Sequence, residues 1–274
     1  MKRAGLFVLA GALLLAASAA GRDQSRVQEG VFRSQAITAS LHYEVYLPSD
    51  YDSSSRRYPV IYFLHGLPSG ATAYQGAGFV ESALDAVGQP AILVAPQGAR
   101  YNEPDPEYVD HDVGDRWETA IARELPQVID SRYRTIPTRA ARAIVGLSAG
   151  GFGAMHIGLA HLGEYAVIES WSGYFHPTDP TGTKALDYGP ANDVHAQLRQ
   201  TAAVLKRMHT LIAFYVGNGD SRFLAENRQL NLELGRAGIP HIFRIYAGGH
   251  EQSLWSRYAS SWLAIAVTHL APAG

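Results

Sequence analysis

The sequence predicts one doubly wound α/β domain, a mostly parallel central sheet with helices on both faces. Three observations predict it. Short unbroken apolar runs recur along the chain, each stopped by Gly or Pro. Helix-length segments separate those runs. No linker, internal repeat or second compositional block interrupts the alternation. Runs that are apolar at every position read as strands buried on both faces, as in a parallel sheet. Strand–helix alternation over most of a chain then points to a doubly wound layer structure.

The elements follow in order. Lys2 and Arg3 precede a small-and-apolar run, Leu6 to Ala17, and then Ala17-Ser18-Ala19. A positive start, a short apolar stretch and a small-x-small site make residues 1–19 a secretory signal peptide, so the protein is expected outside the cytoplasm. The run is too short for a comfortable membrane span, and no stable membrane insertion is expected, although an uncleaved anchor stays open. Residues 20–29 read as a polar leader and 30–274 as the α/β domain. Gly30–Ile37 and Leu41–Leu47 alternate and form an antiparallel pair at a sheet edge. The buried strands are Val60–Leu64, Ala91–Ala95, Arg142–Val145, Ala166–Ile168 running into Trp171, Leu211–Val216 and His241–Tyr246. Helices are expected over Thr72–Val87, Arg116–Ile129, Gly151–His161, Asp193–Leu205, Arg222–Arg236 and Gln252–Leu270. Pro126 should kink or shorten the second of these, because it lacks an N–H.

Composition narrows the function. With 23 basic and 25 acidic residues among 274, the formal charge is −2. There is no basic excess to neutralise phosphates, so nucleic acid is not expected as a partner. The chain has no cysteine, which excludes disulfides, a cysteine nucleophile and thiolate metal sites. Asp110 to Asp115 is dense in oxygen ligands, but the twelfth position of a calcium loop would be Ile121 instead of Glu. It reads as a solvated loop, with no metal expected.

One motif carries chemistry. Gly146-Leu147-Ser148-Ala149-Gly150 fits G-x-S-x-G, follows a strand and opens a helix. A turn that sharp needs glycines on either side and lifts the Ser148 hydroxyl to the C-terminal edge of the sheet, above a helix N-terminus. A serine hydroxyl is a weak nucleophile until an oriented histidine takes its proton. In chain order the acid and the base should follow, each at a strand end. Asp220 ends Phe214–Gly219, and His250 follows Ile245–Gly249. His176 is the rival base, and Asp193 and Glu226 are rival acids on or near helices. His241 lies at the wrong end of its strand, and His156 and His161 sit on the helix after Ser148. Acyl transfer also needs donors for a developing oxyanion. The N–H of Ala149 and that of Leu67, after the strand ending Leu64-His65-Gly66, are best placed, with Gly66 close behind. Tyr101, Trp117, Trp171 and Tyr174 are candidates to line a cleft for aromatic or sugar groups, or else are packing residues.

His65-Gly66-Leu67, Gly146–Gly151, Gly219-Asp220, and Gly248-Gly249-His250 with Trp255 resemble the esterase D group of α/β-hydrolases. That group includes S-formylglutathione hydrolases, feruloyl and acetylxylan esterases and mycolyltransferases. The likeness spans about Leu41 to Leu270. It implies an α/β-hydrolase without a cofactor or a separate lid domain. It also implies Ser148, Asp220 and His250 as nucleophile, acid and base, with Leu67 and Ala149 as oxyanion donors. Many members have Trp two residues after the histidine; here that position is Gln252. The lack of cysteine and the signal peptide argue against the cytosolic S-formylglutathione hydrolase role. The expected activity is hydrolysis of a small or carbohydrate-linked carboxylic ester through a Ser148 acyl-enzyme. Transfer of the acyl group to an alcohol, and a non-catalytic binding protein, stand as alternatives.

Overall fold

The computed structural model describes residues 26–274 apart from Ser69, Asn102 and Pro104. The signal segment therefore lies outside the described residues. Eight strands form one sheet: β1 (Val27–Arg33), β2 (Ser40–Tyr46), β3 (Val60–Leu64), β4 (Ile92–Pro96), β5 (Arg142–Leu147), β6 (Val167–Trp171), β7 (Leu211–Gly217) and β8 (Ile242–Tyr246). Their spatial order is β1-β2-β4-β3-β5-β6-β7-β8. β2 pairs antiparallel with β1 and with β4, and every later pairing is parallel. This is the mostly parallel α/β sheet that the sequence predicts. β1 begins at Val27, inside the segment read as a polar leader, and pairs Val27 with Tyr46. Its exposed edge tolerates Glu29 and Arg33, so polar residues there do not break the strand.

Alternate residues of each central strand feed two apolar layers. In β3, Val60, Tyr62 and Leu64 join one cluster, while Ile61 and Phe63 join the other. Helix α1 (Gly78–Val87) and α7 (Gln252–Thr268) cover the second face through Val80, Leu84, Trp262 and Leu263. The first face carries α3 (Leu125–Arg132), α4 (Ala149–Ala160), α5 (Val194–Met208) and α6 (Leu224–Arg236).

Before α3 the chain runs through a short helical turn, α2 (Trp117–Thr119), and one π turn, Ala120–Glu124, in which Leu125 N–H bonds to Ala120 O. The Pro126 ring cannot bond to the carbonyl of Ala122, and the widened turn just before it absorbs the mismatch. The expected disturbance is thus a local widening within a continuing helical path.

Candidate active site

The strand-end positions of Ser148, Asp220 and His250 bring them together at one edge of the sheet. Ser148 leaves β5 with φ 55° and ψ −116°, a left-handed backbone that costs about 1–3 kcal/mol for a residue with a side chain. The surroundings hold it there. Its N–H donates to Trp171 O at 2.8 Å, and its carbonyl accepts from Phe152 N at 3.1 Å. The flanking glycines are sterically required. A Cβ on Gly146 would lie 1.8 Å from Gly150 O, and one on Gly150 would lie 2.0 Å from Leu64 O. The turn therefore packs backbone directly on backbone, which only glycine allows.

Ser148 Oγ lies 2.9 Å from His250 Nε2, and His250 Nδ1 lies 2.8 Å from Asp220 Oδ2. The Asp220 side chain is fully buried. Its Oδ1 accepts from Arg222 N at 3.3 Å and Phe223 N at 3.2 Å, so the carboxylate is fixed from behind. A carboxylate accepting the Nδ1–H leaves the Nε2 lone pair free to accept the serine proton. The His250 ring is packed edge-on by Phe223 at 5.1 Å and by Trp255 at 5.0 Å. Trp255 Nε1 donates to Ser172 Oγ at 3.1 Å. Gln252 leaves the position two after the histidine without an aromatic ring, and Trp255, one helical turn further into α7, packs the imidazole instead.

The rivals are committed elsewhere. His176 Nδ1 is paired with Glu226 Oε1, and His195 Nδ1 with Glu233 Oε2 at 2.6 Å. His156 and His161 both bond to Glu118. Asp193 caps α5 by accepting from Ala196 N at 2.6 Å. Asp110 accepts from Thr119, and Asp115 pairs with Arg100 at 2.7 Å, so this acidic loop is tied up internally.

Ser148 and His250 open into a cavity of about 240 Å³ lined in part by Gly66, Leu67, Tyr174, Thr181, Arg222 and Gln252. Ala149 is the first residue of α4, next to Ser148, so its N–H has no partner within the helix and the helix dipole lies behind it. Leu67 lines the same cavity. His65, just before it, is buried and pushed down to about 4 by that burial, so it is neutral near pH 7.

The aromatic lining differs from expectation. Trp117 and Trp171 are fully buried core residues. Trp171 sits between Phe63 at 5.5 Å and Trp262 at 5.1 Å, on the face of β6 covered by α7. Tyr101 is 83% exposed and outside the cavity wall. Tyr174 does line the cavity.

Two contributors carry no sequence signal of their own. Arg222 follows the acid by two residues, and its place at the strand end is the one clue to it. Glu107 is buried, with φ 55°, in a loop far from the motifs. Its carboxyl accepts from Tyr174 Oη at 2.7 Å and from Thr178 Oγ1 at 2.6 Å, tying down the segment that carries Tyr174. Burial pushes Glu107 up to about 8.

The profile of the family described as "Putative esterase" matches residues 34–258. The chain belongs to that esterase family. Esterase Rv1288 of Mycobacterium tuberculosis (strain ATCC 25618 / H37Rv) is 30% identical over 254 residues, covering 80% of this chain and 54% of that protein. Diacylglycerol acyltransferase/mycolyltransferase Ag85A of Mycobacterium leprae (strain TN) is 32% identical over 130 residues, 41% of this chain and 38% of its own. The chain spans about half the length, or less, of these curated relatives. Among solved structures, a ferulic acid esterase superposes with a TM-score of 0.78 at 25% identity, covering 89% of this chain and 98% of its own. An S-formylglutathione hydrolase from Staphylococcus aureus shares the fold, with a TM-score of 0.71 at 18% identity over 87% of this chain and 98% of its own.

Proposed function

We propose that this chain is a secreted serine esterase that hydrolyses carboxylic esters through an acyl-enzyme on Ser148. The hydrogen-bonded line from Ser148 through His250 to Asp220, at 2.9 and 2.8 Å, is the observation that carries the reading. Ser148 Oγ attacks the ester carbon as His250 Nε2 takes its proton. Asp220 stabilises the imidazolium that forms. The N–H groups of Ala149 and Leu67 hold the oxyanion of the tetrahedral intermediate. When the C–O bond breaks, the alcohol leaves with the proton from His250. Water then attacks the acyl-enzyme, His250 takes and returns a proton again, and the acid departs with Ser148 restored.

Ser148→Ala should keep the fold and lower ester turnover by about 10⁴-fold or more, because it removes the attacking atom. A panel of esters from acetate to long acyl chains, with feruloyl and sugar esters, read beside fluorophosphonate labelling, tests this. A folded variant with near-normal turnover refutes the reading, and a native protein that resists the label favours a non-catalytic role. Likeness to a named mycolyltransferase supports one second reading, in which an alcohol replaces water in the last step. A screen of acceptor alcohols against water separates the two. For localisation, N-terminal sequencing of the native protein should find a start near Ala20 outside the cytoplasm. An intact Met1 in the cytosol refutes secretion.

A further inference from the structure

The cavity beside Ser148 is nearly neutral apart from one group. Arg222 is the only Lys, Arg, Asp or Glu among the described residues lining it. Some arginines are paired with carboxylates, Arg26 with Asp85, Arg100 with Glu103 and Asp115, Arg142 with Asp130 and Glu164, and others, such as Arg132 and Arg139, bond neutral oxygens. Arg222 has no such partner among the described residues. Its backbone N–H serves Asp220, while its guanidinium lies over the Phe223 ring at 5.0 Å. Phe223 in turn packs on the His250 ring at 5.1 Å. Glu251, the nearest acid in sequence to His250, turns its Oε1 back to Gly249 N at 3.1 Å. An unpaired guanidinium, braced on an aromatic face and set one ring away from the base, is a fork waiting for a planar oxyanion.

We propose that Arg222 selects esters that carry a carboxylate close to the scissile bond. The inference rests on the esterase reading of Ser148 and names the substrate class for that site. The stacking on Phe223 limits the guanidinium's freedom before binding, so less entropy is lost when the fork engages. Arg222 is exposed, so the pair it forms with a bound carboxylate stays partly screened by solvent. Thr181 and Gln252, on the same walls, are neutral and can serve the remaining polar groups without opposing the charge.

The test uses matched ester pairs. 4-Acetoxybenzoate against 4-acetoxybenzamide places the charge on the alcohol side. 4-Nitrophenyl hydrogen adipate against 4-nitrophenyl hexanoate places it on the acyl side. The readout is the ratio of kcat/KM, charged over neutral, within each protein, which cancels differences in active fraction. The native protein should favour the charged member of one pair by up to about fivefold, the size of a solvent-screened ion pair. Arg222→Gln should bring that ratio to about one, and Arg222→Glu should invert it. No preference in either pair, or a preference that survives Arg222→Gln, overturns the proposal. A second measurement needs no turnover: benzoate should slow fluorophosphonate labelling of Ser148 more than benzamide does in the native protein, and equally in Arg222→Gln. Equal slowing in the native protein overturns the selection by Arg222 while leaving the esterase reading intact. Absence of labelling overturns both.

Discussion

Replacing Asp220 by Asn keeps shape and volume but forces a choice on the amide. Oδ1 of Asp220 accepts two backbone N–H groups, from Arg222 and Phe223, at 3.3 and 3.2 Å. An amide oxygen must stay there, since turning the NH₂ toward two donors forfeits both bonds and sets donor against donor. Each lost bond costs about 1 kcal/mol, and the buried mismatch adds about 1–3 more. The NH₂ therefore faces His250 Nδ1, which must become an acceptor. The ring proton then moves to Nε2, the atom 2.9 Å from Ser148 Oγ, and the hydroxyl loses its base. A flip penalty of about 3–5 kcal/mol leaves the competent arrangement populated at about one part in 150 to one part in several thousand. The expected loss in kcat runs from the order of 10² toward the 10³ to 10⁴-fold typical of a lost triad acid, with little change in Tm. Glu226→Gln, which disturbs the pairing of Glu226 with His176 Nδ1 and with His195 Nε2 at 3.5 Å instead, should cost the rate little. The assay is turnover of 4-nitrophenyl acetate, with circular dichroism to confirm folding. An Asp220→Asn variant within tenfold of native, or a Glu226→Gln variant more damaged than it, refutes the assignment of the acid.

Two further predictions concern the frame around the site. Gly150→Ala drives a Cβ to 2.0 Å from the Leu64 carbonyl and should cost about 3 kcal/mol or more, whereas Gly235→Ala, in α6 with nothing within 4 Å, should be neutral or stabilising by up to about 1 kcal/mol; chemical denaturation of the two, with equal stabilities as the refuting result, checks this. Glu107 is raised by burial to about 8, so the native state binds its proton more tightly than the unfolded chain does. Its stabilising contribution is complete below about pH 4.5 and is lost as pH rises toward 8, by up to about 1.4 kcal/mol per pH unit. Glu107→Gln should therefore flatten the fall of Tm between pH 5 and 8, leaving the similar contribution of buried Glu169, and parallel curves for native and variant would contradict it.

Much of this architecture is legible in the order of residues. Short, mostly apolar runs stopped by Gly or Pro locate β3 to β8 to within about two residues, because strands covered on both faces carry few polar positions and β8, at the margin, still ends at a glycine turn. The strand ends then bring Ser148, Asp220 and His250 together, since a parallel sheet places every C-terminal end on one edge. The same property hides the aromatics. Both faces of β6 are buried and each carries a polar residue, Glu169 on one and Ser170 on the other, so nothing in the pattern says that Trp171 points toward α7 and away from the cavity. The Glu107 carboxyl meets Tyr174 and Thr178 across 67 and 71 residues of chain, a contact that no local periodicity encodes. Pro126 marks a disturbance in its helix, but the form it takes, a π turn one step earlier, depends on how Ala120 to Leu125 pack.

The proposed nucleophile and base stand on unequal ground. Ser148 leaves β5, flanked by β3 and β6 deep in the sheet, while His250 hangs from β8, the margin, whose residues are half covered or open to solvent. Marginal strands fray at a lower free energy than central ones. A transient lifting of β8 would carry the imidazole off while the serine turn stays folded, so the hydroxyl falls silent before the core gives way. On the proposed mechanism, turnover is thereby a sensitive gauge of the rim, and stiffening β8 is the direct route to activity that lasts until the whole molecule melts.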